Sequence, residues 1–227
     1  MHSKKFTGLF LASVAALWGA AWGGAAQALP VLSEFYYDAV GSDDGESFVE
    51  IYGSPGTSLE GLALDGINGT NGAVGPTIVL SGSIGVSGLY VVADRRSDGT
   101  SSVAGADLLA NFDFQNGPDS VVLRGGASVL DALGYGTFVA GEINAGEGAP
   151  APGVSAGSSL ARRFANVDTN DNASDFEALA TPTPGSAPIS AVPEPGTALL
   201  LGLGLTGLAS VTGPRRAASP APRSRPR

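Results

Sequence analysis

Phe48-Val49-Glu50-Ile51-Tyr52 has the clearest strand pattern in the chain, because its side chains alternate with a period of two. Successive side chains of a β-strand point to opposite faces of the sheet. Val49 and Ile51 are therefore predicted to face one side, with Phe48, Glu50 and Tyr52 on the other. The alternation predicts a β-strand at this position.

Nine further short runs on either side of this stretch have a similar character. Most contain β-branched or aromatic residues and are bounded by Gly, Asn, Asp or Pro. They are Val31–Tyr37, Leu59–Leu64, Thr77–Leu80, Leu89–Ala93, Leu108–Phe114, Ser120–Arg124, Val129–Tyr135, Ser159–Phe164 and Phe176–Ala178. Many short strands at such spacing predict an all-β fold, an antiparallel sandwich or barrel. The chain has no cysteine, so this domain is stabilised by its core alone.

Composition and charge exclude several classes of function. All 21 acidic residues lie between Glu34 and Glu194 and only five arginines accompany them, so this part has a net charge of −16. Such a surface repels phosphate backbones and excludes a nucleic-acid partner. The only histidine is His2, which removes Ser-His-Asp and Cys-His catalysis and the usual zinc and haem sites from the rest of the chain. The composition predicts a protein that is not an enzyme.

The first 28 residues have the pattern of a secretory signal peptide. Lys4 and Lys5 supply the positive start, and an apolar run from Phe6 to Ala21 follows. Ala26-Gln27-Ala28 supplies a small-residue cleavage site. The alternative is an N-terminal membrane helix that is retained. The signal peptide predicts an exported protein.

Residues 196–213 form an uncharged, mostly apolar segment of membrane length. As a helix it would be about 27 Å long, close to the roughly 30 Å of a hydrocarbon core. Arg215, Arg216 and three more arginines follow it in residues 214–227. Since positive flanks stay cytoplasmic, we expect a single transmembrane helix with a basic cytoplasmic tail and the body of the chain outside.

The order of features around this segment resembles a known sorting signal. Pro193, Glu194 and Pro195 stand immediately before the apolar segment, and the pair Arg215-Arg216 follows it. This arrangement is similar to the PEP-CTERM signal, which exosortase-type enzymes recognise and cleave. The resemblance implies transient anchoring in the inner membrane, cleavage near Glu194, and then a cell-surface or extracellular location. The alternative is a plain, permanent membrane anchor.

The body of the chain resembles the lamin tail domain family. The matching motifs are Val31-Leu32-Ser33-Glu34-Phe35-Tyr36-Tyr37, Glu46-Ser47-Phe48-Val49-Glu50-Ile51-Tyr52, Leu59–Leu64, Asp119–Leu123 with Val129–Gly136, and Gly157–Arg162 with Asp168–Phe176. The resemblance implies an immunoglobulin-like β-sandwich over residues 29–188 without catalytic residues. Residues 189–195 are then a Pro-rich linker that carries the Pro-Glu-Pro motif.

One short motif has oxygen ligands at alternate positions, as a calcium loop does. It consists of Asp168, Asn170 and Asn172, although the Gly and Glu of an EF-hand loop are missing after it. The alternative is a turn whose Asx side chains bond their own backbone. Another motif, Gly153-Val154-Ser155-Ala156-Gly157, matches a hydrolase nucleophile elbow but has no histidine to serve it.

Together these features predict an exported, non-enzymatic β-sandwich that belongs to the extracellular or biofilm matrix. Its expected partners are an exosortase-type enzyme, the membrane through its C-terminal helix, and polysaccharide or other surface proteins. No cofactor is expected apart from calcium at the Asp168 loop. Two other functions stay open, a calcium-dependent adhesin and a metal-assisted hydrolase that uses paired carboxylates.

Overall fold

The computed structural model describes residues 29–191, and these contain ten strands and one short helix. The strands are β1 (Val31–Tyr36), β2 (Phe48–Tyr52), β3 (Leu62–Asn68), β4 (Val74–Val79), β5 (Leu89–Asp94), β6 (Leu108–Ala110), β7 (Asp119–Gly125), β8 (Ser128–Tyr135), β9 (Ser159–Arg162) and β10 (Phe176–Leu179), and the helix is α1 (Asn172–Asp175). Each of the ten predicted runs contributes a strand. The predicted signal peptide and C-terminal helix lie outside the described residues.

The strands form two sheets. The larger sheet has the order β10-β9-β1-β2-β5-β6, and the smaller has the order β4-β3-β7-β8. All neighbouring strands are antiparallel except β5 and β6, which are parallel. The prediction of an all-β protein built from two sheets is confirmed. Within residues 29–191, no helix has the length and hydrophobicity that crossing a bilayer requires.

The main core lies between the two sheets. The larger sheet contributes Leu32, Phe35, Val49 and Ile51, and the smaller one contributes Leu64, Val121, Leu123 and Leu133. Aromatic rings close one end of this core: Phe35 lies 5.2 Å from Tyr135 and 5.3 Å from Phe114, between ring centroids. Edge-to-face contacts of this kind add to the free energy gained from burying the rings.

The predicted alternation of side chains along β2 is confirmed. Val49 and Ile51 lie in the core between the sheets, whereas Phe48 lies on the opposite face in a second cluster with Val91 and Ala93. Glu50 is on that opposite face too, and it is also buried. The larger sheet is therefore covered on both faces around β2.

Several strands begin or end at other residues than predicted, and two of these differences have a clear structural cause. The run at Leu59 starts its strand only at Leu62, because Gly61 adopts a φ of +80° that makes a turn before it. The run at Leu108 ends its strand at Ala110, because the Phe112 N–H donates to the carboxylate of Asp94 instead of to a neighbouring strand. Both differences arise from turn and side-chain contacts.

The chain after β10 runs along the outer face of the larger sheet. This strap, residues 181–190, is attached through the Thr183 and Gly185 N–H groups, which donate to buried carboxylates of β1 and β2. Further along, Ala165 donates its N–H to the Pro188 carbonyl, and Asn166 exchanges two hydrogen bonds with Ser190. The folded part of the chain therefore continues to Ser190, beyond the start of the predicted linker.

Candidate functional site

Arg162 is the centre of a buried polar cluster at one end of the core. It lies in β9 with 1% of its surface exposed, and its guanidinium lies 4.6 Å from the centre of the Phe176 ring. Nε donates to the Leu32 carbonyl, and Nη1 donates to the Val167 carbonyl and to Asp175 at 2.9 Å. Its side chain also pairs with Asp131 and Asp168. A buried charge needs such partners, since an unpaired one costs several kcal/mol.

Asp131 joins the two sheets at this cluster. It lies in β8 of the smaller sheet, is fully buried, and accepts hydrogen bonds from Leu32 N at 2.6 Å and from Arg162 Nη2 at 2.9 Å, both in the larger sheet. Its other oxygen accepts from Ala132 N. Burial raises the pKa of Asp131, and the adjacent Arg162 opposes that shift. Asp131 therefore links the two sheets through hydrogen bonds and an ion pair.

The three residues of the predicted calcium loop lie in different environments and have different hydrogen-bond partners. Asp168 accepts hydrogen bonds at Oδ1 from Arg162 and from the N–H of Asn170. Asn170 has a φ of +55° in an exposed turn. Asn172 is fully buried at the start of α1, and its Oδ1 accepts from both Gly134 N and Glu147 N. The Asn172 oxygen is thus engaged by the backbone, and calcium at Asp168 and Asn170 stays a prediction.

Two other carboxylates lie near Asp168, and sequence reasoning did not select them. One oxygen each from Asp131, Glu147 and Asp168 lies within 4.8 Å of the other two. Glu147 belongs to the β8–β9 loop (residues 136–158), and Asn172 fixes it by a second hydrogen bond, from Asn172 N to the Glu147 carbonyl. Burial, followed by the charges of Asp131 and Asp168, raises the pKa of Glu147 to about 7. Three segments remote in sequence thus bring three acidic groups together.

Glu34 and Glu50 are two further buried acidic side chains, and they lie beneath the strap. They are directly opposite each other in the β1–β2 ladder, where like charges destabilise a sheet. Hydrogen-bond donors compensate for this arrangement. Thr183 N and Ser159 Oγ donate to Glu34, and Gly185 N donates to Glu50 at 2.6 Å. The strap is therefore attached to the sheet by carboxylates that need its N–H groups.

The pKa of Glu50 follows from this environment. Burial raises it to about 7, although the hydrogen bonds from Gly185 and Ser33 act in the opposite direction. The negative charges of Glu34 and Asp107 contribute to this rise in the same direction as burial. Ionisation of Glu50 therefore opposes folding as the pH approaches neutrality.

Four of the five arginines of the described residues form ion pairs. Arg96 pairs with Glu46, Arg124 with Asp65, and Arg163 with Glu177. Arg95 forms no ion pair with the carboxylates of residues 29–191. Since 20 acidic residues share this region with five arginines, the surface keeps a large excess of negative charge.

The structure describes the elbow-like motif around Ser155 but not the predicted sorting residues. Ser155 is exposed in a turn before β9, where its carbonyl accepts from Ser158 N, so the strand-turn-helix of a nucleophile elbow is not formed there. Pro193, Glu194, Pro195, Arg215 and Arg216 lie outside the described residues.

The smaller sheet has a groove on its surface. It has a volume of about 350 Å³ and lies between the β3–β4 hairpin and the segment 113–115. Asn68, Asp113 and Gln115 contribute its polar groups, and Asn68 donates a hydrogen bond to Gln115 across it. Amide and carboxylate groups in a shallow groove are suited to hydroxyl-rich ligands.

No family model, curated protein or solved structure matches the chain. The resemblances to the lamin tail domain and to the PEP-CTERM signal therefore stay predictions from the sequence.

Proposed function

We propose that this chain is an exported, non-enzymatic β-sandwich of the immunoglobulin-like type, related to the lamin tail domain. It serves as a structural or binding component of the extracellular matrix or exopolysaccharide layer. An exosortase-type enzyme processes its C-terminal signal, so that the inner membrane anchors it only transiently.

The observation that carries this proposal is the position of the strap relative to the Pro-Glu-Pro motif. The strap holds the polypeptide on the sheet as far as Ser190, and Val192-Pro193-Glu194-Pro195 follows directly. Cleavage near Glu194 would therefore release a complete folded domain without removing any of its strands. A permanent anchor requires only hydrophobicity and flanking charge, and neither Glu194 nor its two prolines is needed for that.

The roles of the buried charged groups support a non-enzymatic function. Arg162 and Asp131 join the two sheets, and Glu34 and Glu50 attach the strap. Asp131 has no exposed surface, so a substrate cannot reach it as one member of a carboxylate pair. This argues against the hydrolase alternative, which requires two accessible acids about 5–10 Å apart.

Charge and surface shape support a matrix partner. The acidic excess repels nucleic acid and favours cationic or neutral, hydroxyl-rich polymers. The groove beside Asn68 and Gln115 offers amide groups to such a polymer. A polysaccharide of the cell surface has the chemistry that fits both features.

We expect a Glu194→Ala substitution to change the location of the protein in its native host. The wild type should be recovered in the surface and extracellular fractions, whereas the variant should stay in the membrane fraction at a larger mass. The reason is that the residue between the two prolines identifies the cleavage site. The measurement is immunoblotting of membrane, surface and medium fractions.

A matched control is Glu177→Ala, which removes an exposed carboxylate of β10 from the folded domain. This variant should be distributed like the wild type. Retention of both the wild type and Glu194→Ala in the membrane would favour the permanent anchor over the proposed processing.

A further inference from the structure

The charges around Arg162 do not balance. Asp131, Asp175 and Asp168 each contact the single guanidinium, and Glu147 lies beside Asp131 and Asp168. When all four carboxylates are ionised, the cluster keeps a net charge of −3 around one arginine. Two of the four acids, Asp131 and Asp175, are buried, so water screens this charge poorly. An additional positive charge would stabilise the cluster.

A second observation, independent of the charge count, points to a ligand. The Oε2 atom of Glu147 is buried and has no hydrogen-bond partner among the described residues. A buried acceptor without a partner destabilises the folded state, so proteins rarely leave one unsatisfied. Asn172 bonds the Glu147 backbone at both its N–H and its carbonyl, which places the start of this side chain beside Asp131 and Asp168.

We propose that Asp131, Glu147 and Asp168 bind one Ca²⁺ ion. All three ligands are carboxylate oxygens, which hard cations prefer over the nitrogen or sulfur ligands of zinc. Two oxygens bound to one Ca²⁺ at 2.3–2.6 Å can be at most about 5 Å apart, and the three oxygens lie within 4.8 Å of one another. Their origin in three separate segments gives an irregular site, which Ca²⁺ tolerates better than Mg²⁺ does.

The hydrogen bonds of the cluster leave oxygens for the ion. Asp168 uses Oδ1 for both Arg162 and Asn170, so its second oxygen is available. The ion would fasten the β8–β9 loop, through Glu147, to strand β8 and to the segment before α1. The site stands independently of the proposed export and matrix function, because it depends only on residues of the folded domain.

The test uses the full-length protein purified in detergent at pH 8, where Glu147 is ionised. Calcium is titrated by isothermal calorimetry, and the melting temperature is followed by circular dichroism with 10 mM CaCl₂ or MgCl₂. We expect one Ca²⁺ per chain and a rise in melting temperature of about 5 °C, given an affinity typical of extracellular sites. Mg²⁺ should produce less than about half of that rise.

The decisive variant is Glu147→Gln, which keeps the size of the side chain and its backbone contacts. It should fold and lose both the calorimetric signal and the calcium-dependent rise, whereas Glu142→Gln in the same loop should keep them. A rise that persists in Glu147→Gln would overturn the proposal by placing calcium elsewhere. No rise in the parent protein would also overturn it and would mean that a proton shared with Asp131 satisfies Glu147.

Discussion

Replacing Arg162 with alanine is expected to lower the free energy of unfolding by about 3–5 kcal/mol, the cost of leaving buried charges unpaired. Asp131 and Asp175 are buried and depend on the guanidinium, and the Leu32 carbonyl would lose its side-chain donor as well. The corresponding fall in melting temperature is roughly 6–20 °C for a domain of this size. Urea denaturation followed by circular dichroism measures the free energy of unfolding, and thermal denaturation measures the melting temperature.

The neighbouring arginine provides the control. The Arg163 side chain is 51% exposed, and its only ion pair in the described residues is with the half-exposed Glu177. Exposed pairs contribute about 0–1 kcal/mol, so Arg163→Ala should have little effect. Equal destabilisation by the two substitutions would contradict the role assigned to Arg162.

A Glu50→Gln substitution is expected to remove much of the pH dependence of stability between pH 5 and pH 8. The pKa of Glu50 is about 7 in the folded protein against an ordinary value of 4.5. Between these values the folded state keeps a proton that the unfolded state has lost, so stability decreases as the pH rises through this window. The full decrease is about 3 kcal/mol for this carboxyl.

The measurement compares the free energy of unfolding of wild type and Glu50→Gln at pH 5 and pH 8. The single side-chain oxygen of glutamine can still accept from Gly185 N, and its amide group can donate to the Ser33 hydroxyl, so the strap should stay attached. The variant should gain stability relative to wild type as the pH rises. An identical pH profile in the two proteins would contradict the burial of an ionisable Glu50 under the strap, and exposed Glu60→Gln should leave the profile unchanged.

The strands could be predicted because their signals are local. The alternation at Phe48–Tyr52 and the glycines, prolines and asparagines that bound the other runs depend on neighbouring residues only. Strand ends were less accurate, because they depend on tertiary contacts. Asp94, for example, accepts hydrogen bonds from Phe112 N and from Gly45 N, and so draws two separate loops together.

The buried cluster could be predicted only in part. Arg162 and Arg163 look equivalent as a dipeptide, yet one is buried and the other exposed. The alternation of a β-strand could have distinguished them. Leu160 faces the core, and Arg162, two residues later in the same strand, faces the same side. No such signal exists for Glu147, which lies 16 residues after Asp131 and 21 before Asp168 in a Gly- and Ala-rich loop.

The burial of the two carboxylates under the strap could not be predicted from the sequence, for a different reason. Glu34 and Glu50 sit in strands that were predicted correctly, but their burial depends on the chain after β10, more than 130 residues further along. A Pro-rich composition at residues 181–190 indicates extended chain, whether it crosses solvent or lies on a sheet. Only the N–H groups that meet the two carboxylates decide between these alternatives.

The central claim is that this acidic domain is exported and then cut free at its C-terminal signal. Intact-mass measurement of the protein isolated from its native host tests this most directly. Export followed by cleavage should give a product that begins near Leu29 and ends near Pro195, without the arginines of the C-terminal tail. A protein that still contains Arg227 and remains in the membrane fraction would contradict it.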